Sequence, residues 1–282
     1  MSRGLLELEP AELTEEELTQ IGALVRKLAG INLHGGKRQL IKARLGRRLR
    51  MLGMSSFREY LEYVAHDRSG DELCDMLDAL STNVTSFFRE PDHFDYLREE
   101  ILPRAVAAAS GGPRRLRIWS AGCSSGEEAY SIAIEVCEGL PDLAGWDVRI
   151  LGTDLSHRVL AQAQKGIYGP GRLRDIPGAL RHKHFVSLDP PSHSRYQVHP
   201  TVRRLVHFAH LNLMAPWPMR GPFDAIFCRN VMIYFDRATQ RGLVDRFYDL
   251  LAPGGLFFVG HAESLVGMRQ RLAFTRPGIY RK

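Results

Sequence analysis

The feature that most constrains the fold of this chain is a change of rhythm after "SGGP", Ser110–Pro113. From Arg115 onward, short apolar runs alternate with amphipathic stretches. Leu116–Ser120 predicts a strand and Glu127–Cys137 a helix; Val148–Thr153 and Ser156–Gln164 repeat the pair. Leu205–Leu211 and Phe223–Cys228 read as strands, Ala238–Leu251 as a helix, Leu256–Val259 as a strand and Phe274–Tyr280 as a last one. Strands separated by helices are joined by crossovers, which make neighbouring strands parallel. The expectation is a mostly parallel, doubly wound sheet over residues 115–282. The alternation fails over Gly166–Thr201, where "SLDPPSHSRYQVHPTVRR" predicts a small β insertion at about 170–204.

Residues 1–83 read instead as a helical bundle. Thr14 with Glu17 has the capping-box spacing, followed by an apolar stripe of Leu18, Ile21, Leu24, Val25 and Leu28. After Gly35-Gly36, a second helix shows Leu40, Ile41, Leu45, Leu49 and Leu52. Ser56 with Glu59 suits the start of a third, and Leu73, Met76, Leu77 and Leu80 mark a fourth. Residues 84–114 form a linker and a connecting helix opened by Pro91. The second helix holds seven basic residues and no acidic one within Lys37–Arg50. Lys37, Arg44 and Arg48 share an arc beside its apolar stripe, with Arg47 and Arg50 further round. A solvated face and a docking surface for an acidic partner both fit this pattern.

Composition removes several classes. No apolar run approaches the roughly 20 residues of a membrane span, so membrane insertion is not expected. The acidic first residues lack the apolar core of a secretory signal. The four cysteines show no metal spacing and read as reduced cytosolic thiols. A net charge of +6 permits a polyanionic partner, but no basic stripe interleaved with aromatics points to nucleic acid.

Ligands of open parallel sheets bind beyond the C-terminal strand ends. The first strand ends in "AGCSSGEEAY", a small-residue turn entering a helix that opens with Glu127-Glu128. Acids there complement the helix dipole; they also disfavour a pyrophosphate and favour a cationic ligand. GxGxxG is absent, which argues against a nicotinamide enzyme. The second strand ends at Asp154, suited to a ribose diol or to capping the next helix. Asn212 after the next strand suits an adenine amino edge or a plain turn. "FCRN" then places Arg229 and Asn230 at the end of an apolar run. Together these describe an adenosine pocket with a positive charge elsewhere on its ligand, as in S-adenosylmethionine.

The segments "STNVTSFFRE", "IWSAGCSSGEEAYSIAI", "GTDLS", "FDAIFCRNVMIYF" and "LLAPGGLFFVGHAESL" resemble the chemotaxis receptor methyltransferase (CheR) family over nearly the whole chain. The resemblance implies a class I S-adenosylmethionine-dependent methyltransferase with a Rossmann-like sheet, an N-terminal all-α domain and a small β insertion. It implies methyl transfer to glutamate side chains on the cytoplasmic helical signalling domain of chemoreceptors, giving the γ-methyl ester and S-adenosylhomocysteine, without a metal. Carried over by position, Asn83, Thr85 and Arg89 reach the cofactor, with Arg89 on the methionine carboxylate. Gly122 and Glu128 hold the methionine amino end, Glu127 being the close alternative. Asp154 takes the ribose, Asn212 and Leu213 the adenine end, and Arg229 and Asn230 the region near the methyl donor. Tyr234 lies near the transferred methyl, where it and Arg89 orient without carrying protons. Lys37, Arg44 and Arg48 become candidates for receptor docking. The insertion lacks the Gly-X-Gly turn of members that bind a receptor C-terminal pentapeptide, so that tether is not expected; a cytoplasmic monomer is. The alternatives are a methyltransferase of this fold acting on another protein, a nucleic acid or a small molecule, and a non-catalytic S-adenosylmethionine sensor.

Overall fold

The computed structural model describes residues 12–32, 38–80, 84–265, 267–268 and 271–282. Lys37 and Asn83, expected at functional positions, lie outside the described residues. The chain divides into two compact units, Met1–Thr82 with Tyr234–Asp236, and Asn83–Ile233 with Arg237–Lys282.

The smaller unit contains α1 (Glu15–Ala29), α2 (Arg38–Leu52), α3 (Phe57–His66) and α4 (Asp71–Leu80). The expected capping box is present: Glu17 N–H donates to Thr14 Oγ1 at 3.2 Å, and Thr14 N–H to Glu17 Oε2 at 2.8 Å. Ser56 Oγ accepts from Glu59 N–H at 3.2 Å at the start of α3. Ile21, Val25, Ile41, Leu45, Leu49, Phe57, Tyr60 and Met76 form its apolar interior. Tyr234–Asp236 belongs here through the Asn32 N–H to Tyr234 carbonyl bond at 2.7 Å and the Arg26–Asp236 ion pair at 2.6 Å.

The basic helix α2 spends much of its charge internally. Arg48 donates to both oxygens of Glu72, at 2.8 and 2.5 Å, and pairs with Asp75. Glu72 is only 5% exposed and also accepts from Tyr60 Oη at 2.8 Å. Arg44 donates to the Leu80 carbonyl at 2.8 Å, and Arg38 and Lys42 pair with Glu15 and Glu12. Arg44 and Arg48, expected as part of a docking arc, thus have partners within the unit. Their guanidinium groups answer a buried acid and a helix-end carbonyl, while Arg47 and Arg50 stay exposed.

The larger unit begins with α5 (Pro91–Tyr96), which continues through a π-helical turn (Leu97–Ile101) into α6 (Leu102–Ala109). Pro103 has no N–H to give to the preceding turn, and the widened turn just before it absorbs the mismatch. Then follow β1 (Arg115–Ala121), α7 (Glu127–Gly139), β2 (Asp147–Asp154) and α8 (His157–Lys165). The insertion supplies β3 (Ile167–Tyr168), α9 (Gly178–His184), β4 (Phe185–Ser187), β5 (Tyr196–Val198) and α10 (Pro200–Arg203). The chain ends with β6 (Val206–His210), β7 (Phe223–Phe227), α11 (Arg237–Leu250), β8 (Leu251–Phe258), β9 (Ala273–Arg276) and β10 (Ile279–Arg281).

The main sheet has the order β6-β2-β1-β7-β8-β10-β9. Strands β6, β2, β1, β7 and β8 are parallel, and β10 is antiparallel to both its neighbours. Strand order reverses between β1 and β7, which opens the crevice where ligands of such sheets bind. Two expectations are corrected. Phe274–Tyr280 is a hairpin of two strands, because Gly278 turns the chain at φ 72°. Strand β8 starts at Leu251 and carries Pro253-Gly254-Gly255 as an irregularity opposite Phe223–Ala225.

Both faces of the sheet are covered. Leu116 and Ile118 pack with Ile132 and Val136 of α7. Trp119 points the other way onto Phe247 of α11 and Trp217, with ring centroids 5.1 and 5.0 Å away. The insertion forms a second sheet, β3-β5-β4, and braces the strand-end region. Tyr168 Oη donates to the Ser125 carbonyl at 2.6 Å, and Phe87 packs edge-on against Tyr168 and Phe185.

Arg48→Met should destabilise the helical unit by about 3 kcal/mol, because it strands the Glu72 carboxylate in the interior. Urea denaturation checks this, and a loss near zero would show that Glu72 is already solvated.

Candidate active site at the strand ends

The turn after β1 requires glycine. Gly122 has φ 81°, and a Cβ there would come within 2.3 Å of Val231 Cγ2. Its N–H and that of Cys123 both donate to the Thr153 carbonyl, at 2.7 and 2.9 Å, which fastens the turn to β2. Asp154 ends β2 half-buried. Its Oδ2 accepts from Ser124 N–H at 2.8 Å and its Oδ1 from Ser156 N–H at 3.0 Å. The cap of α8 is Ser156, whose Oγ accepts from Val159 N–H at 3.1 Å. Asp154 is therefore not the helix cap: it is an oriented carboxylate that bridges two strand-end turns.

Arg229 answers the question of what receives a guanidinium at the end of a buried strand. Its side chain is 2% exposed. It pairs with Glu90 at 2.9 Å, with Glu128 at 3.0 Å, and donates to the Arg89 carbonyl. Glu128 also accepts from Ser120 Oγ at 2.7 Å. Burial pushes the Glu128 carboxyl up, against the opposing pull of Arg229 and Ser120. At Glu90 burial also pushes upward, but the charge and hydrogen bonds of Arg229 outweigh it and hold the group below the usual range. Two carboxylates against one guanidinium leave one excess negative charge when all are ionised.

Glu127 is fully buried, accepts from Ser125 Oγ at 2.7 Å and lies 3.3 Å from Arg172 Nη1. Its Oε1 has no hydrogen bond, and burial raises its carboxyl. Arg172, from the insertion, also donates to the Thr85 carbonyl at 2.8 Å. Arg89 is half-buried and donates to the Val84 carbonyl at 2.9 Å. Asn230 adopts φ 59°, and its N–H donates to Glu263 Oε2 at 2.6 Å. Glu263 also accepts from Gly260 and Ile233 N–H, at 2.8 and 3.0 Å. Asn212 Oδ1 accepts from Met214 N–H at 2.9 Å, so its turn role is present. The Leu213 carbonyl accepts from Trp217 Nε1 and Arg246 Nη1, at 3.1 and 2.6 Å.

The larger unit thus brings Thr85, Arg89, Gly122, Glu128, Asp154, Asn212, Leu213, Arg229 and Asn230 to the C-terminal edge of its sheet or to segments packed there. Tyr234 falls in the smaller unit. Glu90, Ser120, Glu263 and His93 are not singled out by the sequence pattern. A buried arginine requires carboxylate partners, so the acid next to "FFR" carries a usable signal.

The parallel sheet with its switch point, the carboxylate on the second strand and the acid-rich start of α7 define a class I S-adenosylmethionine-dependent methyltransferase. Residues 83–278 match the family model "CheR methyltransferase, SAM binding domain", and residues 16–81 match "CheR methyltransferase, all-alpha domain". A "Probable chemotaxis protein methyltransferase" of Rhizobium etli is 44% identical, over 89% of this chain and 93% of the relative. A "Chemotaxis protein methyltransferase 2" of Pseudomonas aeruginosa is 42% identical over 90% and 88%, and the "Chemotaxis protein methyltransferase" of Escherichia coli is 36% identical over 96% and 92%. The chain belongs to the CheR methyltransferase family.

His93 sets a pH dependence for this unit. It is 0% exposed, and burial, followed by the charge of Arg229, lowers its pKa to about 4 against the pull of Asp92 and Glu90. An unfolded histidine titrates near 6.5, so between the two values only the unfolded chain takes the proton. Stability is then complete above about pH 6.5 and falls toward pH 4, by about 3 kcal/mol at most. His93→Gln should flatten that section of the stability curve in denaturation series run from pH 7 to 4; an unchanged slope would show that His93 titrates normally.

Proposed function

We propose that this protein methylates glutamate side chains on the cytoplasmic helical signalling domain of chemoreceptors, as a cytoplasmic monomer, and so serves sensory adaptation. The products are the glutamate γ-methyl ester and S-adenosylhomocysteine. The observation that carries this reading is that both the all-α and the cofactor-binding regions match one family, whose curated relatives are named chemotaxis methyltransferases.

The residues fit S-adenosylmethionine. The excess negative charge around Arg229 suits a cationic amino acid end. The carboxylate of Glu128 has lone pairs beyond the two it uses, and with its rim partly exposed it would hold the ammonium beside Gly122. Arg89 would take the carboxylate of that end, with Thr85 and Asn83 alongside. Asp154, held by two N–H bonds, would accept from both ribose hydroxyls. Asn212 and Leu213 would meet the adenine, and Asn230 the region of the methyl group. When bound, the sulfonium supplies an activated methyl and a neutral thioether leaving group. The receptor glutamate, with an ordinary pKa near 4.3, is already ionised at neutral pH and needs no general base. What the protein contributes is alignment and exclusion of water. In this reading Tyr234 and Arg89 orient the reactants and hold no proton in transit, and Arg229 acts by positioning Glu128.

Methyl-labelled cofactor incubated with the protein and receptor-containing membranes should label receptor protein, and mild base should release the label as volatile methanol. Base-stable label, or label on nucleic acid or small molecules only, would reject carboxylate methylation.

The insertion is read as a brace, since Tyr168 and Arg172 tie it to the glycine turn and the Thr85 segment; no pentapeptide tether is proposed. Docking on the acidic receptor helices is assigned to the exposed Arg47 and Arg50 of α2. Rim charges act mainly on encounter and affinity. The double reversal Arg47→Glu with Arg50→Glu should therefore raise the receptor KM about tenfold and leave cofactor affinity by calorimetry unchanged. Equal loss of both affinities would contradict docking there.

A further inference from the structure

His93 is left unexplained by methyl transfer. It sits in the first turn of α5 with 0% exposure, and neither ring nitrogen has a hydrogen-bond partner. Each unmade bond of this kind costs about 1–3 kcal/mol. Yet the ring is surrounded by electron-pair donors. Glu90 Oε2 is 3.5 Å from Nδ1, and Asp92 Oδ2 is 3.9 Å from Nε2. The ring of His261, from the segment after β8, crosses edge to face at a centroid distance of 5.1 Å. One donor atom from each of Glu90, His93 and His261 lies within 4.8 Å of the other two.

We propose that Glu90, His93 and His261 form a site for one divalent transition-metal ion of the zinc class, with Asp92 orienting His261. Zinc–ligand bonds of 2.0–2.2 Å in a tetrahedron place donor atoms about 3.3–3.6 Å from one another. The 3.5 Å gap between Glu90 Oε2 and His93 Nδ1 matches such an edge. The Nε2 edge of the ring faces Asp92 and the backbone of Gly278, where an added Cβ would lie 2.8 Å from Nε2. Nδ1, the nitrogen that faces Glu90, is the ligand atom. Asp92 Oδ2 lies 3.1 Å from His261 Nε2. With the Nε2 proton given to that carboxylate, the Nδ1 lone pair of His261 is available, the arrangement by which outer carboxylates fix ligand histidines. Two imidazoles and a carboxylate are a known zinc donor set, with a fourth position for solvent. The His261 side chain is 48% exposed and gives the ion a way in.

The site touches the cofactor machinery through Glu90, which also holds Arg229 at 2.9 Å. Metal and guanidinium would share one carboxylate, so an ion held there would bear on the position of Arg229.

The test uses tag-free, full-length protein and zinc alone, in competition with a chromophoric chelator. Wild type should take one zinc per chain. His261→Ala, at an exposed position, should weaken uptake at least about tenfold, and Asp92→Asn by about tenfold or more, the cost of losing an outer partner. His157→Ala should leave uptake unchanged; His157 stacks on His210 elsewhere, at 4.1 Å, and controls for binding there. Circular dichroism confirms that each variant is folded. No uptake by wild type, full uptake by His261→Ala, or loss with His157→Ala would each overturn the proposal.

Discussion

The buried guanidinium of Arg229 is the interaction on which the strand-end region depends. It leaves β7 at the topological switch point, where a charge with 2% exposure carries a desolvation penalty of several kcal/mol. That penalty is offset only because two separate pieces of chain converge on it. Glu90 and the Arg89 carbonyl come from the linker, and Glu128 from the first turn of α7. One side chain thereby fixes the "FFRE" segment, the acidic helix start and the end of a central strand in a single arrangement. The same contacts hold Glu128 where it can face a ligand. Glu263 has the corresponding role beyond the neighbouring strand, β8, where its carboxylate gathers N–H groups from Gly260, Asn230 and Ile233.

Much of this is legible in the sequence because periodicity reports burial. The parallel strands around β1 and the helices between them follow from apolar runs and amphipathic stripes. The capping box of Thr14 and Glu17 is visible as a spacing. What periodicity does not report is which charge meets which. The sequence marks Arg229 as anomalous but cannot show that Glu90, 139 residues away, is its partner. It likewise places Arg48 on one face of α2 and cannot show Glu72 on α4 opposite. The last hairpin reads as one strand because Gly278 sits in a run that otherwise keeps strand character. Judged by residue type, strand β8 begins only at Leu256, because Pro-Gly-Gly is ordinarily turn chemistry; in the fold the pairing with β7 continues around the irregularity.

The charge on α2 shows how net charge and available charge differ. Seven basic residues lie between Lys37 and Arg50. Arg38, Lys42 and Arg48 have acidic partners and Arg44 a carbonyl within the same unit. Arg48 is mainly a stabilising group, because Glu72 is buried and would otherwise be unpaired. The surface field of the helix then rests on side chains that reach solvent, and Arg47 and Arg50 do so.

In the proposed reaction, transfer of a methyl cation equivalent to a carboxylate would place opposite demands on one site. The amino acid end of the cofactor carries an ammonium and calls for negative charge, while the incoming glutamate is an anion that negative charge repels. Unscreened carboxylates near the methyl would cost affinity for the substrate, the more so because buried charges are screened little by salt. The arrangement around Arg229 meets both demands locally. Glu90 and Glu128 are each tied to the guanidinium, so one of their two charges is cancelled at a distance while the nearer oxygens still accept hydrogen bonds. Asp154 is treated in the same way with neutral donors, since two backbone N–H groups hold its oxygens. Acids that are paired or bonded inward can recognise a cationic ligand at contact distance without presenting a repulsive field to an anionic one, and this is the electrostatic condition that methyl transfer to glutamate imposes.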